Sequence, residues 1–77
     1  MTFSIRPAAE LFTTPEIGVV DQVIAPNQPG RIKYQASYWP ARLYQVGGAI
    51  QLDSQQVVQV VGREGITLLV QPNNASF

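Results

Sequence analysis

Gly30-Arg31-Ile32-Lys33-Tyr34-Gln35-Ala36-Ser37-Tyr38-Trp39-Pro40-Ala41-Arg42-Leu43 is the stretch from which the rest of the chain can be read. It describes two antiparallel strands joined by a tight turn, with the only tryptophan in the second strand. Ile32 and Tyr34 point to one face of the first strand, and Arg31, Lys33 and Gln35 point to the other. That period of two marks a half-buried strand. After the turn, Trp39, Ala41 and Leu43 share a face. Tyr38, Arg42 and Pro40 share the opposite one, where an edge tolerates proline.

Working outward, Ile17-Gly18-Val19-Val20-Asp21-Gln22-Val23-Ile24 is the strand that precedes this hairpin. Its polar residues fall on both faces, so its facing stays open and strong curvature is expected. Ala25 to Gly30 breaks it with turn-forming residues. Downstream, Tyr44 to Ser54 is a connection in which Gly47-Gly48 favours a bend and Ile50 with Leu52 makes a short pairing or anchors the loop. Gln55 to Gly62 is a valine-rich fourth strand. Arg63-Glu64-Gly65 is a hairpin turn with Gly65 supplying positive φ, and Ile66 to Gln71 is the fifth strand, stopped by Pro72-Asn73-Asn74. Five short strands with turn signals between them, and no long helical pattern, predict an all-β fold. The best fit is a small five-stranded barrel of the oligonucleotide/oligosaccharide-binding (OB-fold) type, closed in Greek-key order. An SH3-like barrel is the competing arrangement. Residues 1–16 are expected as an N-terminal tail, 17–72 as the barrel and 73–77 as a C-terminal tail. Within the first tail, Pro7 to Phe12 has the length for one or two helical turns, too short to be stable alone, with Leu11 and Phe12 free to dock.

At 77 residues the chain is one domain, and a chain of that size buries only about 60% of its unfolded surface. Small domains often add disulfides or a metal, but this sequence has no cysteine and no histidine. Disulfides and Cys/His zinc sites are thereby excluded. Stability must come from the apolar residues, 45% of the chain. No stretch approaches the about 20 apolar residues of a membrane-spanning helix, and the N-terminus lacks the pattern of a secretory signal. The expectation is a soluble, cytoplasmic chain without direct membrane insertion.

Without histidine or cysteine, no Ser-His or Cys-His nucleophile can be assembled. Glu10, Glu16, Asp21, Asp53 and Glu64 are scattered between tail, strand and turns. Gly47-Gly48 lacks the lysine and helix start of a phosphate-cradling loop. The chain is therefore read as non-catalytic, with no cofactor or metal. Five basic and five acidic residues cancel, whereas nucleic-acid binders carry a basic excess. Arg31, Lys33, Tyr34, Tyr38, Trp39 and Arg42 do lie on the strands where OB barrels bind single strands. Tyr34 and Trp39, however, alternate as core residues, which makes nucleic-acid binding the lesser alternative. Protein binding is the leading one. Its expected surface is Arg31, Lys33, Tyr38, Arg42 and Tyr44, of which Tyr38, Arg42 and Tyr44 are of types enriched in interface hot spots. The weak surface charge also permits self-association into a homo-oligomer.

A family resemblance runs through the same residues. Ile24-Ala25-Pro26, Pro29-Gly30-Arg31-Ile32, Tyr38-Trp39-Pro40-Ala41-Arg42, Ile50, Val57-Val58-Gln59-Val60-Val61 and Gly65-Ile66-Thr67-Leu68-Leu69-Val70-Gln71-Pro72 follow, in order, the pattern of the C-terminal soluble domain of the NfeD family. The likeness spans roughly residues 18 to 72. It implies an OB-type barrel without the usual helix between the third and fourth strands. It also implies a place in membrane assemblies, with stomatin- or flotillin-like scaffolds or membrane NfeD proteins as partners, the chain itself peripheral to the membrane. Longer members of the family carry transmembrane helices and a protease domain; neither is present in this sequence, so anchoring and peptidase activity do not carry over. Where the family often has a glycine just before the valine-rich strand, this chain has Asp53-Ser54-Gln55.

Overall fold

The computed structural model describes residues 9–44 and 50–73. The hairpin forms as its alternation predicts. Strands β1 (Glu10–Gln22), β2 (Gly30–Tyr34) and β3 (Ser37–Leu43) form the first half of the barrel, and β4 (Val57–Glu64) and β5 (Thr67–Pro72) the second. β2 and β3 pair antiparallel, with Lys33 opposite Tyr38 and Ile32 opposite Trp39. Both residues of their two-residue turn have positive φ, 52° at Gln35 and 63° at Ala36. That geometry matches the twist of the flanking strands and usually recruits Asn-Gly. Here side chains with a Cβ are held in it against their steric preference.

The strands close into a barrel in the order β1-β2-β3-β5-β4. The β3–β5 contact is parallel and brings Ala41, Arg42 and Leu43 beside Leu68, Leu69 and Val70. Closure through this one parallel contact is the OB arrangement, and it displaces the SH3-like alternative. Inside sit Val20, Ile24, Ile32, Ala41, Leu43, Leu52, Val58, Val60, Leu68 and Val70, with Phe12, Tyr34, Trp39 and Ile50 packed against them. Each fully buried Val, Ile or Leu contributes about 1.5–3 kcal/mol relative to exposure, and among the described residues no polar side chain is buried in opposition. Ile24 and Leu52 exchange backbone hydrogen bonds of 3.0 and 2.8 Å, so Leu52 anchors the long connection as the sequence suggests.

The structure differs from the sequence reading in three places. First, the expected N-terminal tail is strand from Glu10 onward: Glu10 pairs with Arg63 and Leu11 with Gly62. Glu10 to Phe12 is therefore extended where a helical turn was expected. Gly62 makes this docking possible, because a Cβ there would run into the Glu10 carbonyl and the Leu11 backbone. The register then slips between Leu11 and Glu16, which places Pro15, without an N–H, in the irregular stretch where it breaks no ladder bond. Second, the β4–β5 turn is Gly65-Ile66, one residue later than expected, with Gly65 at φ 63°. Third, β4 starts at Val57 because Gln55 stands in the left-handed region at φ 75°. The expected Gly47-Gly48 bend, and Pro7-Ala8 of the expected helical turn, lie outside the described residues.

The ambiguous facing of β1 is resolved by an irregularity. Gly18 and Val20 point inward, and a Cβ on Gly18 would lie 3.1 Å from Ile32 Cδ1. Val20 pairs with Ile32 and Gln22 with Arg31, so Asp21 is the extra residue that bends the strand. At the start of β2, a Cβ on Gly30 would collide with the carbonyls of Gln22 and Val23; only glycine fits there.

Candidate protein interface

The registers of β1–β4, β1–β2 and β2–β3 place Val57, Val19, Lys33 and Tyr38 in one row across four strands. Directly paired residues share a face of a sheet, and this row faces outward. Ile17, two residues before Val19, lies on the same face. Tyr38 and Ile17 are each 56% exposed and Val57 42%. Beside the row an open groove of about 260 Å³ is lined by Val19, Val20, Asp21, Lys33, Tyr38 and Gln55.

Three features shape this groove. The bulge at Asp21 opens the β1–β2 seam and carries its carboxylate to the rim. Arg31 then reaches across, donating from Nε to Asp21 Oδ2 at 2.8 Å, while its guanidinium lies 5.0 Å from the Tyr38 ring centroid. That stacking fixes the ring orientation. The far wall is the segment before β4, where the Gln55 N–H donates to the Val20 carbonyl at 2.7 Å and the Val20 N–H donates to the Gln56 carbonyl at 2.9 Å. This exchange holds Gln55 in its left-handed conformation.

Of the five residues that the sequence singles out, Arg31, Lys33 and Tyr38 come together here. Arg42 and Tyr44 do not join them. Arg42 lies four residues along β3 and bonds Glu64 at 2.7 Å, and Tyr44 is half-buried, its N–H donating to Val70 O at 2.9 Å. Val19, Asp21 and Gln55 also line the groove and Val57 extends the row beside it; none of them was singled out from the sequence. Val57 and Val19 could not be, since only the register makes them neighbours of Lys33. Gln55 left a trace in the missing family glycine.

Trp39 and Tyr34 look inward, toward the core. Trp39 is half-buried against the core, and its indole N–H is enclosed without a partner among the described residues. The Tyr34 hydroxyl donates to Glu16 Oε1 at 2.6 Å. That hydrogen bond, with partial burial and the negative charge of Glu16, pushes the Tyr34 phenol up to about 12. Neither ring is free to stack on a base.

Residues 16–72 match the NfeD family, described as the NfeD-like C-terminal, partner-binding domain. The chain belongs to this family. Among solved structures, this NfeD domain is similar to the C-terminal domain of a stomatin operon partner protein from Pyrococcus horikoshii. The identity is 31% and the TM-score 0.57, covering 79% of this chain and 80% of that one. No curated protein matches. The NfeD domain is thus a protein-interaction module on a small β-barrel. Nothing supports the nucleic-acid alternative: Arg31 and Arg42 are held by carboxylates and Trp39 is committed to packing. Among the described residues no helix is long and apolar enough to cross a membrane.

Proposed function

We propose that this NfeD domain is a non-catalytic docking module for a stomatin-like, membrane-associated protein, working at the cytoplasmic side and peripheral to the membrane through that partner. The observation that carries this reading is the likeness, across four-fifths of both chains, to a domain of a stomatin operon partner protein. The absence of histidine and cysteine from the sequence removes the commonest nucleophile–base pairs and favours docking over catalysis. The docking surface is proposed to centre on Arg31, Lys33 and Tyr38, with Arg42 and Tyr44 outside it.

The test is capture of a stomatin-like protein by the tagged chain, with parallel washes at low and high salt. Apolar docking is weakened little by salt, whereas phosphate contacts are screened. Retention through the high-salt wash is the expected result. Recovery of nucleic acid alone, lost at high salt, overturns the reading.

A further inference from the structure

We propose that the groove beside Lys33 receives an extended segment of the partner that carries a carboxylate flanked by apolar side chains, and that Lys33 pairs with that carboxylate. This rests on the protein-docking reading but not on which protein docks.

Charge complementarity carries the argument. Among the described residues each arginine has a carboxylate: Arg31 has Asp21, Arg42 has Glu64 and Arg63 has Glu10. Lys33 has none, although it stands in the middle of the exposed row between Val19 and Tyr38. The one carboxylate lining the groove, Asp21, is already neutralised by Arg31, so an incoming anion meets a net positive wall. Val19, Val57 and the Tyr38 ring surround Lys33 with apolar surface. A partner covering them would remove water from the ion pair and strengthen it beyond the weak value of an exposed one.

The dimensions select an extended segment. The row from Val57 to Tyr38 crosses three strand spacings, roughly 14 Å, which four extended residues at about 3.3 Å each would span. A volume of about 260 Å³ falls below the roughly 300–1,000 Å³ of small-molecule sites, and the groove is open rather than enclosed. Gln55 adds a second, independent observation. A non-glycine residue held at φ 75° is strained, and such strain clusters at binding sites. Its side-chain amide, with donor and acceptor both available, lies on the wall where the backbone of a docked segment would pass.

The experiment is selection of a randomised short-peptide library on the full chain, in the wild type and in Lys33→Glu. The wild type is expected to enrich Asp or Glu next to Leu, Ile or Val. Replacing that acid by its amide in a selected synthetic peptide should weaken binding about five- to tenfold, roughly 1 kcal/mol. Lys33→Glu should reverse the preference toward Lys or Arg while leaving thermal unfolding unchanged, because residue 33 is exposed. Selected peptides without an acidic preference, or an acidic preference that survives Lys33→Glu, overturn the proposal. So does concentration-dependent dimerisation abolished by Tyr38→Ala, which would make a second copy the occupant. Capture of the stomatin-like protein unchanged by Lys33→Glu sinks the groove and leaves the docking reading standing. Failure of that capture beside a charge-reversible peptide preference does the opposite.

Discussion

On the β3–β5–β4 side of the barrel, the outward row is Arg42, Leu69, Gly62 and Leu11; on the β4–β1–β2–β3 side it is Val57, Val19, Lys33 and Tyr38. Both rows mix apolar residues with a cation, and an arginine–carboxylate pair lies on each side. They are finished differently. Leu69 lies between the inward-facing Leu68 and Val70 and outside the core cluster, yet it is fully buried. Gly62 beside it leaves room for Leu11 of the β1 arm, and Arg42 is held by Glu64. Tyr38, by contrast, is more than half exposed, and Lys33 has no carboxylate partner among the described residues. The chain closes one face with its own residues and leaves open the other, which is the face proposed for docking. Burial, rather than composition, separates a structural face from a docking face.

The largest expected effect tests that separation directly. Leu69→Ala should lose about 2–5 kcal/mol of stability, as for any fully buried leucine, read as a fall in the urea midpoint. Tyr38→Ala should stay within about 0.5 kcal/mol of the wild type and instead weaken partner capture at least about tenfold, as truncated hot spots do. If Tyr38→Ala unfolds the chain, or Leu69→Ala is silent, the two faces are not distinguished as described.

Gly62→Ala comes next. The new Cβ meets backbone rather than a flexible side chain, so relief requires the β1 arm to move. A loss of about 1–3 kcal/mol is expected, accompanied by faster proteolysis within residues 10–16. An unchanged cleavage pattern would show that the arm is held by something other than its approach to Gly62.

The docking face can be altered in the other direction. Gln55→Gly removes the steric conflict of a left-handed side chain, which is worth about 1–2 kcal/mol, partly offset by the backbone entropy of glycine. A net gain of up to about 1 kcal/mol is expected, together with weaker partner capture if the Gln55 amide contacts the docked segment. Ala36→Gly, at φ 63° in the β2–β3 turn, should stabilise by a similar amount without touching capture, and serves as the control.

How much of this was legible follows from what each region depends on. The β2–β3 hairpin was readable because its information is local: alternation at Ile32 and Tyr34, and again at Trp39, Ala41 and Leu43, fixes which face is buried. The inward-facing aromatics and the outward Arg31, Lys33 and Tyr38 could be assigned on that basis. The β1 arm was not readable, since nothing in Glu10 to Glu16 announces a strand. It is one because Gly62, some fifty residues later, has no side chain. Arg42 was grouped with Tyr38 because they share a face of β3; that Glu64 would take it up depends on the β4–β5 turn. The groove falls between these cases. Its cation and its tyrosine could be read locally, while Gln55 reaches its wall, and Val57 the row beside it, only through barrel closure.

The smallest effect concerns the tether at the end of the open face, where Tyr34 on β2 donates to Glu16 on β1. The phenol stands at about 12 in the folded chain against 10.0 for the free group. A raised value means that the native state holds the proton more tightly. The stabilisation is therefore complete below pH 10 and disappears as pH rises through about 12. Tyr34→Phe removes the bond and should lower stability at neutral pH by about 1 kcal/mol or less, because the pair is exposed to water. Lysine and arginine also titrate in this range, so the informative quantity is the difference between wild type and Tyr34→Phe. That difference should hold steady up to about pH 10 and shrink toward zero near 12. No difference at any pH would mean that Tyr34 acts through its ring packing on the core alone, and that β1 meets β2 at this end without help from the hydroxyl.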